Sequence, residues 1–153
     1  MANKSEFEKE GYSISSDNAK LNIAVIHHYL SQESYWAQNI PLEVVKRSID
    51  NSLCFGLYHQ HTQIGFARLV TDKATFAYLA DVFILESYRG KGLSKWLVET
   101  IQANPEVQGL RRWLLGTKDA HGLYAQFGWK PIPQELANRF MQLHNPNVYK
   151  QNA

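Results

Sequence analysis

Two glycines flank a lysine in the stretch "YRGKGLSKWL", Tyr88 to Leu97, which follows a long apolar run and continues with helical spacing. A strand ending near Leu85, a short turn and a helix beginning near Gly92 would leave backbone N–H groups free where the chain enters the helix. Such donors, together with the helix dipole, suit an anion, and the missing side chains at Gly90 and Gly92 let it approach the main chain. Arg89 and Lys91 add positive charge at the same place. The plainer alternative is a tight turn that needs glycine at positive φ, with solvated basic residues beside it. The spacing is neither GxxxxGK followed by Ser or Thr nor GxGxxG, so a nucleotide hydrolase or a dinucleotide fold gains no support.

The remaining reactive side chains read more simply. Cys54, the only cysteine, has no histidine at a suggestive spacing and reads as a core filler; its solitude rules out an internal disulfide. His59 and His61 lie in a polar connection without carboxylates or thiols close by in sequence, which is a solvated turn rather than a metal site. No metal is expected.

These groups need elements to hold them. A short strand is expected at Gly11 to Ser15, then two helices. The first is "NAKLNIAVIHHYL" with an apolar stripe; the second is "PLEVVKRSIDNS", opened by a proline suited to a first helical turn. "LCFGLYH" and "QIGFARLV" form an antiparallel hairpin across a short polar link. "ATFAYLADVFIL" reads as a longer strand, apolar enough for a central position covered on both faces. Leu93, Trp96, Leu97 and Ile101 give the helix after the glycine loop one apolar face. "LRRWLLGT" is a further strand, "DAHGLYAQF" a short helix capped by Thr117 or Asp119, and "RFMQLH" a last strand. The hairpin makes part of the sheet antiparallel and the crossover helix makes part parallel, which gives a mixed α/β sheet covered by helices.

Composition sets limits on function. A chain of 153 residues with 44% hydrophobic and 20% charged residues is expected to fold as one domain over 1–153, with 1–10 and 145–153 frayed. Lys and Arg number 16 against 14 acidic residues, a net charge of +2, without the broad basic field that nucleic-acid binding requires. The opening residues contain no apolar signal core, and no stretch approaches the ~20 apolar residues of a membrane span, so the expected location is cytoplasmic.

The glycine stretch resembles the acetyl-CoA pyrophosphate loop of the GNAT superfamily of N-acyltransferases, whose pattern is Gln or Arg, two residues, Gly, one residue, then Gly or Ala. Arg89 and Gly92 match; Ser94 is a small departure at the last position. "DAHGLYAQFGW" is similar to a later motif of the same superfamily through Asp119, Ala120, Leu123, Tyr124, Gly128 and Trp129, with Trp in place of the commoner Phe. The resemblance covers about Gly11 to His144 and is weakest over the first two helices.

What it implies is a mixed, mostly antiparallel sheet of six or seven strands, splayed in the middle, with helices on both faces. Acetyl-CoA would lie in the splay, its pantetheine arm along Val82, Phe83 and Ile84 and its pyrophosphate on Arg89, Gly90, Lys91, Gly92, Leu93 and Ser94, with Asp119 and Tyr124 nearby. Tyr124 falls at the family's usual acid position, where its phenol would protonate the departing thiolate. Asp81 is the favoured base, because a carboxylate within "FAYLADVFIL" is costly to bury unpaired; an ion pair at a strand irregularity would satisfy it equally. His121, His27 and His28 are substitutes for that base. Tyr29, Tyr35 and Trp36 fall where the acceptor side is usually walled. The expected activity is transfer of acetyl to a primary amine of a small molecule or peptide by direct attack, with neither nucleic acid nor membrane as partner and a homodimer left open. The alternative is an acyl-CoA-binding sensor without turnover.

Overall fold

Alternating apolar residues along 53–84 produce three consecutive antiparallel strands in the computed structural model, which describes residues 4–150. They are β2 (Leu53–His59), β3 (Thr62–Thr71) and β4 (Phe76–Ile84). The β2–β3 hairpin closes at His59↔Thr62, with Gln60 in the left-handed region at φ 55°. The β3–β4 turn is held by Asp72, whose carboxylate accepts from the N–H groups of Ala74, Thr75 and Phe76 at 2.9, 2.8 and 3.1 Å. A bond from the Thr75 hydroxyl at 2.7 Å, together with those main-chain bonds, holds its carboxyl well below the usual carboxylate range. A short β1 (Tyr12–Ser15) pairs antiparallel with β2, and β5 (Arg112–Leu115) pairs parallel with β4, giving the order β1-β2-β3-β4-β5.

Period-two alternation sends the strands' side chains into two cores. On one face Phe55, Leu57, Ile64, Ala67 and Leu69 pack against α4 (Leu93–Gln102), whose Leu93, Trp96, Leu97 and Ile101 are buried as their spacing requires. Full burial of a side chain such as Leu97 is worth about 1.5–3 kcal/mol. On the other face Cys54, Phe66 and Phe83 pack against α2 (Ile23–His28) and α3 (Leu42–Asp50). Asn22 caps α2 through a bond from the Val25 N–H at 3.2 Å, and the helix widens into a π-turn over Tyr29–Glu33. Two short helices, α5 (His121–Ala125) and α6 (Gln134–Ala137), follow β5. Among the described residues no helix is long and apolar enough to cross a membrane.

The structure departs from the sequence expectations in four places. Among the described residues the sheet has five strands rather than six or seven, because "RFMQLH" forms no strand; Met141 and Leu143 there are 97% and 106% exposed. β4 is not covered on both faces, its Phe76 and Tyr78 remaining 37% and 38% exposed, whereas β2 and β3 are mostly buried. Part of the stretch expected to fray is a helix, α1 (Lys4–Lys9), held by Phe7 stacked on Trp96 with centroids 5.1 Å apart. The rest of that expectation at 1–3 and 151–153 lies outside the described residues. Finally, β4 is bulged: its register with β3 jumps from Arg68↔Ala80 to Phe66↔Phe83, with Asp81 at φ 55°. The bulge inverts the alternation. Ala77 and Leu79 join the α4 core, and beyond it Ile84 joins that core while Phe83 turns to the other.

Candidate functional site

Pairing between β4 and β5 runs from Phe76↔Arg112 to Leu79↔Leu115 and stops, while β4 continues to Ile84. Two cavities open along this stretch, of about 460 and 540 Å3. They share Tyr35, Trp36, Val82, Asp119, Ala120 and Tyr124, so they meet at the splay. The smaller runs past Val82, Phe83 and Ile84 to Arg89, Gly90, Gly92, Leu93 and Ser94; the larger reaches Arg68, Tyr78 and Asp81.

At the mouth of the smaller cavity the chain turns into α4. Gly90 and Gly92 sit at φ 80° and 85°, a region that costs any other L-residue roughly 1–2 kcal/mol. A Cβ on Gly90 would meet nothing within 4 Å, so the main chain there is open. Among the described residues, none accepts a hydrogen bond from the N–H groups of Gly90 to Lys95; the ladder resumes with Trp96 N–H to Gly92 O at 3.3 Å. These donors are available to an anion, as the sequence suggested.

Arg89 is partly committed elsewhere. Its Nε donates to the Ile84 carbonyl at 2.9 Å and its Nη2 to the Tyr29 hydroxyl at 3.0 Å. The guanidinium therefore ties the end of β4 to the π-turn, and Ile84 O is engaged within the protein. Tyr29 itself stacks on Phe83, centroids 4.0 Å apart and 8° from parallel.

Tyr124 stands at the seam between the cavities, on α5. It is 8% exposed, and its hydroxyl has no hydrogen-bond partner among the described residues. Burial, reinforced by Tyr35, pushes its phenol up to about 12, so it keeps its proton throughout the neutral range. Thr117 rather than Asp119 closes the turn into α5, accepting from the Ala120 N–H at 3.0 Å. Asp119 is thus left unpaired among the described residues, lining both cavities.

Asp81 meets the alternative foreseen for it. Arg68 Nε donates to Oδ2 at 2.8 Å and the Trp36 indole N–H to Oδ1 at 2.8 Å, so each carboxylate oxygen already has a donor. Arg68 is the residue that sequence reasoning missed. Its signal was a lone cation in "GFARLV" facing a lone carboxylate in "YLADVF" on the next strand. Tyr35 and Trp36 line both cavities, Tyr35 accepting from the Lys118 N–H at 3.0 Å. The substitute histidines do not: none lines either cavity, His27 being bonded to Ile40 O at 3.0 Å. Cys54 is buried, its thiol pushed up to about 12 mainly by that burial, which leaves it unreactive.

Residues 50–131 match the family described as acetyltransferase (GNAT) domain. A Gibberella zeae protein provisionally named an acetyltransferase is 31% identical over 137 residues, covering 75% of this chain and 76% of that protein. A solved structure from Xanthomonas campestris pv. campestris, provisionally named an acetyltransferase of the same family, is 48% identical with a TM-score of 0.87. It covers 92% of this chain and 97% of that one. A GNAT family acetyltransferase from Elizabethkingia anophelis, solved with acetyl-CoA bound, has a TM-score of 0.61 at 13% identity, covering 81% and 79% of the two chains. At that identity the likeness is one of fold.

Proposed function

Because the chain belongs to the GNAT family of acetyltransferases, we propose that it transfers an acetyl group from acetyl-CoA to a primary amine by direct attack. The observation that carries the reading is the run of unengaged N–H groups from Gly90 to Lys95 at the mouth of a cavity that meets a second one at Tyr124. A diphosphate suits those amides and the positive end of α4, with Lys91 adding charge. A pantetheine arm extending from it follows β4 past Val82 and Phe83, where β5 has left the strand's side. Main-chain recognition of an extended ligand at a strand edge is an ordinary mode.

Acetyl-CoA supplies the activated acyl group; the chain's residues position it and manage protons. The amine nitrogen forms the new C–N bond as the C–S bond breaks, and Tyr124 gives its proton to the departing sulfur. A phenol held at about 12 is an acid at neutral pH, never a base. The amine must lose a proton to react. Asp81, whose oxygens are both bonded, serves in this reading to hold the bulge of β4 and the Trp36 loop. Asp119, unpaired and common to both cavities, takes the proton directly or through water.

The test is release of free thiol from acetyl-CoA over a panel of amines, alongside thermal melting with the cofactor. At about 100 times its dissociation constant, a bound ligand stabilises by about 2.7 kcal/mol. Melting stabilisation together with amine-dependent thiol release supports the transferase; neither effect would defeat it. Stabilisation without thiol release would favour the acyl-CoA sensor.

A further inference from the structure

We infer that Tyr149 sets the length of amine that the larger cavity accepts. The inference rests on the reading of that cavity as the acceptor's. Tyr149 and Ile40 are the two residues common to the larger cavity and to a neighbouring groove of about 440 Å3 bounded by Pro41, Leu42 and Val148. Together they form the partition between these spaces. Ile40 is fixed: it is buried, its N–H donates to Ala37 O at 3.1 Å and its carbonyl is bonded to His27. Tyr149 is held differently. Its ring packs on the apolar cluster around Ile40 and Val45, and its hydroxyl has no partner among the described residues.

The segment carrying Tyr149 adds little to its hold. Asn147 and Val148 donate to Asn145 at 3.1 and 3.3 Å, and Lys150 donates to Asn147 at 3.0 Å. No main-chain hydrogen bond joins 141–150 to the rest of the described chain. The nearest other tie is the Arg112 guanidinium over the Phe140 ring, 5.4 Å from its centroid. One aromatic ring, that of Tyr149, therefore forms the less firmly held half of the partition between cavity and groove.

The chemistry of the walls defines the occupant. Tyr35, Trp36, Tyr78 and Tyr149 are aromatic, Leu79 and Val82 apolar; Arg68 and Asp81 neutralise one another, Lys118 lies over the Tyr35 ring 5.5 Å from its centroid, and Asp119 adds one negative charge. A short amine with an apolar body fits, its ammonium attracted by the ring faces. A long one meets Tyr149. Removing the ring joins the groove to the cavity and adds length along Pro41, Leu42 and Val148, beside the polar His27, Gln32 and Asn39.

The experiment measures propylamine and octylamine binding by melting shift in the presence of coenzyme A. It uses the full chain, Tyr149→Ala, Tyr149→Phe and a chain ending at Asn147. The ratio of octylamine to propylamine affinity is expected to rise on the order of tenfold in Tyr149→Ala and in the shortened chain. Tyr149→Phe, which keeps the ring, should keep the original ratio. An unchanged ratio in both ring-lacking proteins overturns the inference, as does the absence of amine binding in all four. Thiol release is read separately. A shifted ratio without any release keeps Tyr149's role and removes the transferase reading; release with an unshifted ratio does the reverse.

Discussion

Arg68 and Asp81 face one another across the bulge between β3 and β4, Nε to Oδ2 at 2.8 Å, with side chains only 19% and 10% exposed. A charge so placed cannot lose its partner cheaply. Asp81→Ala strands the guanidinium and is expected to cost about 3–5 kcal/mol in denaturant unfolding. Joint replacement of the pair by apolar residues should recover part of that loss. An Asp81→Ala protein of unaltered stability and abolished turnover would return Asp81 to the role of base.

Asp119 at the seam and Asp81 in the larger cavity can be separated kinetically. Asp119→Asn should lower kcat by about 10²-fold or more while leaving acetyl-CoA affinity nearly unchanged. Asp81→Asn should act mainly on stability and on acceptor KM, through Trp36. Equal kcat for wild type and Asp119→Asn would take Asp119 out of the chemistry.

Tyr124→Phe removes a hydroxyl that has no partner among the described residues, so stability should hold within about 0.5 kcal/mol. Turnover is expected to fall by on the order of 10² or more, with cofactor affinity nearly unchanged. With the phenol held at about 12, the acid should still be protonated as pH passes through 8 to 10. A basic limb in kcat inside that interval that vanished in Tyr124→Phe would contradict the assignment.

Gly92→Val should weaken acetyl-CoA binding through the backbone. At φ 85° a branched residue is strained, and an added Cβ would point toward Phe7, whose ring lies 3.8 Å away, rather than into the loop's open side. Gly90→Ala tests the same loop with no neighbour to displace. Calorimetric titration of the folded variants should show both weakened; affinities equal to wild type would dissociate loop geometry from binding.

Alkaline pH tests the buried thiol. The Cys54 pKa is raised to about 12 in the folded chain, while the unfolded chain ionises near its ordinary value of about 8.5–9. Above that value the unfolded state binds fewer protons, so stability falls as pH rises from about 9 toward 12, by at most about 1.4 kcal/mol per pH unit from this group. Cys54→Ala should lose that part of the slope. Rapid thiol labelling of the native protein at neutral pH would contradict the burial.

Much of this was legible because it is periodic or local. The stripe of α4, the β2–β3 hairpin and the glycine turn follow from spacing and from residues with few conformational options. What escaped depends on the third dimension. The bulge at Asp81 is decided by Arg68 and Trp36, which lie 13 and 45 positions away. "RFMQLH" has a strand's composition but no strand beside it, and β4 reads as a central strand because its apolar residues line a cleft. Tyr149 sits in a polar tail whose sequence gives no sign that it reaches a cavity.

The most direct measurement is a crystal structure with acetyl-CoA bound. The account predicts the diphosphate within hydrogen-bonding distance of main-chain nitrogens between Gly90 and Lys95, and the sulfur beside the Tyr124 hydroxyl. A cofactor whose diphosphate lies elsewhere, with those nitrogens turned to solvent or bonded to protein carbonyls, would contradict it.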